Sequence, residues 1–194
     1  AIIDCTHYPF RVLGFGADPY LGGDDIDSAV ATWTAEKVLR EAGWDLASEP
    51  EVYSRLLVEC ERAKVRLSAQ EATEIRLSEV DLATPAPLPA VHLDRSTLQD
   101  LSNDIVRRTF SVCDDVLGRT KTRVEDIEAV FLAGGSTALP GLRDSVGKYF
   151  SQKPRSDVDP MHVVSIGASL VAARPSLAAR TFYDAGPAHS TGVE

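Results

Sequence analysis

Val52-Tyr53-Ser54-Arg55-Leu56-Leu57-Val58-Glu59-Cys60-Glu61-Arg62-Ala63-Lys64-Val65-Arg66-Leu67-Ser68 carries two overlapping patterns. Val52, Leu56, Cys60, Ala63 and Leu67 recur at spacings of four, four, three and four, which predicts a helix with a sustained apolar stripe. Its start is expected near Ser48, with Pro50 in the first turn, where a missing N–H costs nothing. At 100° per residue, Glu61, Lys64 and Ser68 fall within about 60° of one another and away from that stripe. The helix therefore has a packing face and a separate polar face. Taken alone, a charge-rich helix face reads as solvated surface.

Upstream, residues 1–5 and 10–16 alternate like two strands, joined by a His7-Tyr8-Pro9 turn. Leu21-Gly22-Gly23 breaks that pattern, and Asp24, Asp25 and Asp27 open a helix where carboxylates suit the positive end of the dipole. Ile26, Val30 and Trp33 mark its apolar side, and Gly43 is expected to stop it after Ala42. Downstream, alternation over residues 73–77 and 90–93 suggests two strands flanking a stretch with Pro85, Pro87 and Pro89. Leu98, Leu101, Ile105, Val112 and Val116 signal a long helix over about 96–118, with Ser96 or Arg95 near its cap. Ala129-Val130-Phe131-Leu132-Ala133 is a continuous apolar run of the kind a central strand buried on both faces shows. Gly134-Gly135-Ser136 follows it directly, then a helix is expected over about 140–150 and another over about 163–173. Residues 174–194 show no periodicity and read as a tail.

Of the 194 residues 44 per cent are hydrophobic and 25 per cent charged, an ordinary globular balance, so no metal or disulfide staple is needed to close a core. Twenty basic against 29 acidic side chains leave a net charge of −9, which argues against a nucleic-acid backbone as the main partner. Cys5, Cys60 and Cys113 form no CxxC pair, so neither a zinc site nor a disulfide framework is indicated. A reducing, cytoplasmic setting is the expectation. No run approaches the roughly 18 apolar residues of a membrane span. The chain opens on a strand without Met or a leader, and is expected to be cut from something longer.

Adjacent glycines between a strand and a helix let backbone N–H groups approach a ligand, because no Cβ stands in the way. A bare Gly-Gly-Ser, taken alone, reads as a tight strand-to-helix turn with no ligand. The combination is more informative. A nucleoside site needs a carboxylate or hydroxyl for the ribose, a base toward the phosphates and a glycine floor, and this chain holds all three.

Four segments together carry a resemblance. Leu21-Gly22-Gly23-Asp24-Asp25-Ile26-Asp27, then Cys60-Glu61-Arg62-Ala63-Lys64-Val65-Arg66-Leu67-Ser68, then Val130-Phe131-Leu132-Ala133-Gly134-Gly135-Ser136-Thr137, and last Asp159-Pro160 ahead of Ile166-Gly167-Ala168 resemble successive signatures of the Hsp70 (DnaK-type) chaperone family. Their order and separations fit over about residues 2–173. The resemblance implies an α/β fold, lobe II of an actin-like, ribonuclease H-like ATPase. Its inner subdomain would comprise residues 1–22 and 93–174, an inserted α+β outer subdomain residues 23–92, and residues 175–194 a tail or linker.

Carried over by position, the resemblance places Glu61, Lys64 and Ser68 at the ribose and adenine, with Gly23 below the sugar. Gly134, Gly135 and Ser136 would hold the adenosine and α-phosphate side of ATP or ADP. It implies no catalytic residue in this stretch, and magnesium would need the other lobe and its phosphate loops. It further implies a nucleotide exchange factor at the outer subdomain. A J-domain co-chaperone and unfolded polypeptide would be partners of the full-length protein. Three positions bear on affinity. The family commonly has an arginine stacking on adenine where Ala138 stands and an acidic residue where Met161 stands, and some members carry a second arginine at Val65. A lost cation–π contact is worth ~1 to 2 kcal/mol, roughly ten-fold in affinity. The rival readings are an actin-like filament or scaffold protein and a degenerate pseudo-ATPase of the same family.

Overall fold

The computed structural model describes residues 1–7, 10–81, 90–155 and 157–174. Tyr8 and Pro9 of the first turn, the Pro85, Pro87 and Pro89 stretch and the 175–194 tail lie outside the described residues. The fold is mixed α/β, with long helices and two small antiparallel sheets.

The chain begins with β1 (Ile2–Asp4) paired to β2 (Arg11–Gly14), as the alternation predicts. Helix α1 (Gly23–Ala42) starts where Asp25 accepts a 2.7 Å hydrogen bond from the Gly22 N–H, and ends at Gly43. Helix α2 (Pro50–Ala69) follows, and all five residues of its apolar stripe, Val52, Leu56, Cys60, Ala63 and Leu67, are buried. Next come β3 (Ala72–Arg76) and β4 (Ala90–Asp94), paired from Ala72 opposite Asp94 to Arg76 opposite Ala90.

One core runs through this region. Ile26, Val30, Ala31 and Val38 of α1 meet Leu56, Cys60 and Leu67 of α2, and Ile75, Val91 and Leu93 close it from the sheet. Burial of this many side chains, each worth about 1.5–3 kcal/mol, is the main force holding the helices on the sheet. A buried carboxylate joins helix to strand beside it: Glu59 accepts from Arg66 at 2.9 Å, and Arg66 also donates to the Thr73 hydroxyl and the Glu74 carbonyl. No position-by-position reading of the helix foresees that network, because its partners lie on β3.

Helix α3 (Arg95–Thr120) is capped by Asp94, not by Ser96 or Arg95 as the sequence suggests. Asp94 accepts 2.8 Å bonds from the Thr97 N–H and the Ser96 hydroxyl. These bonds, the Thr97 N–H first, hold its pKa down to about 2. Arg95 instead turns back, and its guanidinium donates to the Leu67 and Ser68 carbonyls, satisfying groups that the end of α2 leaves without helical partners. Glycines let β2 lie close on the far half of α3: a Cβ at Gly14 would come within 2.5 Å of the Thr120 methyl, and one at Gly16 within 2.7 Å of Val116.

The remaining elements are α4 (Leu142–Tyr149) and α5 (Val163–Ala173). Helix α4 is tied to α3 by stacking of Phe110 on Tyr149, with ring centroids 4.7 Å apart, and by the Tyr149 hydroxyl donating to Asp114. Residues 129–133 do not form the doubly buried strand that their composition predicts. Phe131 makes a single parallel bridge to Arg155 and is 63% exposed. A central strand needs a pairing partner along each edge. Among the described residues β1 and β2 pair only with each other, so the apolar run is left there with one bridge.

Candidate functional site

Lys64 projects from α2 toward the start of α1. Its ammonium donates to the Asp27 carboxylate at 2.6 Å and to the Gly23 carbonyl at 3.0 Å. Gly23 is the first residue of α1, and the space above its Cα is shared. A Cβ there would stand 3.0 Å from Lys64 Nζ and 3.2 Å from Ser136 Oγ. Three segments far apart in sequence thus converge on one glycine face, and a side chain at Gly23 would crowd Lys64 and Ser136.

The Gly134-Gly135-Ser136 turn is held from behind. Gly134 has φ 94°, a backbone state that favours glycine, and its N–H donates to the Pro160 carbonyl at 2.8 Å. Gly135 to Ala138 form a 3-10 turn before α4, so the unit is a bridge, a glycine turn and a helix. Asp159 organises the supporting loop by accepting from the Met161 N–H and pairing with His162 at 3.0 Å, and these bonds hold its carboxyl below the ordinary range. Met161 itself lies over the glycines: a Cβ at Gly135 would come within 3.2 Å of its sulfur.

Glu61 and Ser68 occupy the same face of α2 as Lys64, one turn to either side, and both are exposed. The Ser68 hydroxyl donates back to the Val65 carbonyl at 2.7 Å, so it would have to turn outward to meet a ligand. Of the seven residues singled out from sequence, Gly23, Lys64 and Ser136 are in direct apposition. Gly134 and Gly135 lie next to Ser136, and Glu61 and Ser68 flank Lys64.

Sequence reasoning gave Asp27 no role beyond the helix dipole. The structure buries it to 5% exposure and pairs it with Lys64. Burial pushes its pKa up, and the hydrogen bond and charge of Lys64 oppose that shift. A signal was present: Asp27, Ala31, Thr34 and Val38 fall at i, i+4, i+7 and i+11, so a carboxylate sits on a buried stripe of α1. Beside it, Cys60 is buried and its thiol is pushed up to about 12, mainly by burial, which keeps it protonated and inert near neutral pH.

A shallow hollow of about 330 Å³ lies elsewhere, between α1 and the start of α2, lined by Thr32, Glu36, Leu39 and Tyr53 among others. It includes none of the residues above. Among the described residues, no cluster of three or more His, Cys, Asp or Glu is placed to hold a metal ion, and no helix is long and apolar enough to cross a membrane.

The architecture is mixed α/β, with Lys64 of α2 and Ser136 of the second glycine turn meeting over Gly23. Comparison with known families agrees with the resemblance of the motifs: the family described as Hsp70 protein matches residues 1–178. The chain belongs to the Hsp70 family of chaperones.

Proposed function

We propose that this chain is lobe II of the ATPase domain of an Hsp70-type chaperone and contributes the adenosine-binding half of its nucleotide site. The observation that carries this reading is the convergence of Lys64 and Ser136 on Gly23. Lys64 and Ser136 supply hydrogen-bonding groups to a sugar or phosphate oxygen, and Gly23 leaves room for it. Glu61 and Ser68 add an acceptor and a hydroxyl toward the ribose. Gly134 and Gly135 let the ligand approach the backbone closely. The inner subdomain is residues 1–22 and 93–174, and the outer one is residues 23–92, where an exchange factor would dock.

None of these residues is placed as a nucleophile or base, and phosphoryl transfer relies on positioned charges around the γ-phosphate and magnesium. Those belong to the other lobe. In the whole protein, closure of the cleft by ATP and its opening after hydrolysis would shift affinity for unfolded polypeptide, with a J-domain partner acting on that cycle. The three cysteines, which form no disulfide among themselves, support a cytoplasmic setting.

Calorimetric titration of ADP into this chain and its Lys64→Ala variant tests the reading. Binding by the parent, weakened about ten-fold by loss of a charged hydrogen bond, is expected. Equal affinities would overturn the assignment of Lys64. No ATP turnover by the purified chain is expected, and steady-state hydrolysis free of contaminating chaperone would contradict the lobe assignment.

A second reading, a family member that no longer uses nucleotide, is favoured by one contact: the Met161 sulfur packs over Gly135, where close backbone approach is needed. Absence of heat with either ATP or ADP at high concentration, in the longest product of the gene, would select it.

A further inference from the structure

The Lys64 ammonium has three N–H donors, and two are already committed, to Asp27 Oδ2 at 2.6 Å and to the Gly23 carbonyl at 3.0 Å. Two fixed acceptors on a tetrahedral nitrogen leave the third N–H one direction. We infer that Asp27 is a positioning residue of the ligand site, holding Lys64 so that its remaining N–H addresses a ligand acceptor beside Gly23 and Ser136; this rests on the nucleotide-binding reading of the same site.

Stability alone gives no reason for a carboxylate here. Asp27 is buried between α1 and α2, its Oδ1 has no hydrogen-bond partner, and an apolar pair of similar volume would serve packing as well or better. Without Asp27, Lys64 keeps only the Gly23 carbonyl, and a lysine stem that is part exposed can swing its charge toward water. The carboxylate therefore fixes orientation.

The pair also carries a pH signature. Burial raises the Asp27 pKa, so its ionised form works against folding: its favourable contribution is present at low pH and is lost as pH rises through the raised value. Asp27→Asn is accordingly expected to leave the urea midpoint at neutral pH unchanged or higher. Ligand binding runs the other way. Protonated Asp27 loses its charged hold on Lys64, so affinity falls as pH is lowered through that pKa. The groups that face Asp27 are Lys64, Glu61 and Cys60 on α2 and Asp24 on its own helix. Of these the Cys60 thiol stays neutral throughout.

The experiment titrates adenosine, which has no phosphate to titrate, into the whole chain and into the Asp27→Asn, Lys64→Ala and doubly substituted chains, from the ordinary carboxylate range up to neutral pH. We expect each single substitution to weaken binding about ten-fold, the double to weaken it no further, and the pH dependence of the parent to be flattened in Asp27→Asn. The parent profile needs no substitution and carries the test even if a variant fails to fold. Asp27→Asn binding as the parent does with the same pH slope, additive losses in the double substitution, or a parent profile flat in pH would each overturn the inference. No adenosine binding by the parent, or no loss in Lys64→Ala, would instead overturn the nucleotide reading beneath it.

Discussion

Two parts of this molecule treat their apolar side chains differently. Over residues 23–81 and 90–94 most of the large aliphatic residues are enclosed: Leu46, Leu56, Leu67, Ile75, Leu77 and Leu93 are fully buried, and Leu39, Val58 and Val65 are the exposed exceptions. In β1, β2 and residues 127–174 many are open: Phe131 is 63% exposed, Val164 73%, and no residue of α5 is buried. The first part is covered by the packing of α1 and α2 on the β3–β4 sheet, with Leu98 and Leu139 joining from further along the chain. The second exposes apolar side chains that the described residues do not cover. The proposed ligand site lies on the seam, with Gly23 and Lys64 on the enclosed side and Gly134, Gly135 and Ser136 on the open one.

The sharpest way to break that contrast is a matched pair of truncations. Leu56→Ala, in the closed core, should cost about 2–5 kcal/mol in chemical denaturation, whereas Leu170→Ala on exposed α5 should stay within about 0.5 kcal/mol. Equal losses would mean that α5 is packed as tightly as α2. Hydrogen exchange should show the same division along the backbone. Amides of α2 around Cys60 should exchange only through global unfolding, and those of residues 130–133 through local opening. Uniform protection would erase the distinction.

On the seam, Gly23→Ala should separate folding from binding. Its methyl would crowd Lys64 Nζ and Ser136 Oγ, both side-chain ends that can shift, so the cost to folding is small. Little-changed stability with several-fold weaker ADP binding is expected, and unaltered binding would show that the space above Gly23 is not used. The smallest effect concerns acid. The pKa of Asp94 is lowered, so its support of α3 is present above the ordinary carboxylate value and is lost as pH falls through about 2. Asp94→Ala should lower the melting point at neutral pH and match the parent in strong acid; a deficit that persists there would show that capping is not its role.

What could be read from the sequence follows the same division. The stripe from Val52 to Leu67, the start of α1 among its aspartates and the exact span of α5 depend on local periodicity and helix-end chemistry, which a linear sequence displays. The run at residues 129–133 states only a wish for burial. Whether it becomes a strand depends on a pairing partner, and β1 and β2 pair with each other instead. At the candidate site, the glycine turns and the polar face of α2 could be read locally, as helix periodicity and turn composition. The role of Asp27 could not, because its meaning comes from Lys64, which reaches it from another helix. Arg95 misled for a related reason: its partners are carbonyls at the end of α2.

The claim on which the rest depends is that the two glycine turns and Lys64 form one ligand site, and residue-resolved NMR during an ADP titration reaches it most directly. Resonances of Gly23, Lys64, Gly134, Gly135 and Ser136 should shift together along one saturable curve, with the α2–β3 network around Glu59 unmoved. Shifts confined to one of the two turns, or saturable shifts centred on the hollow at Thr32 and Tyr53, would contradict a shared site.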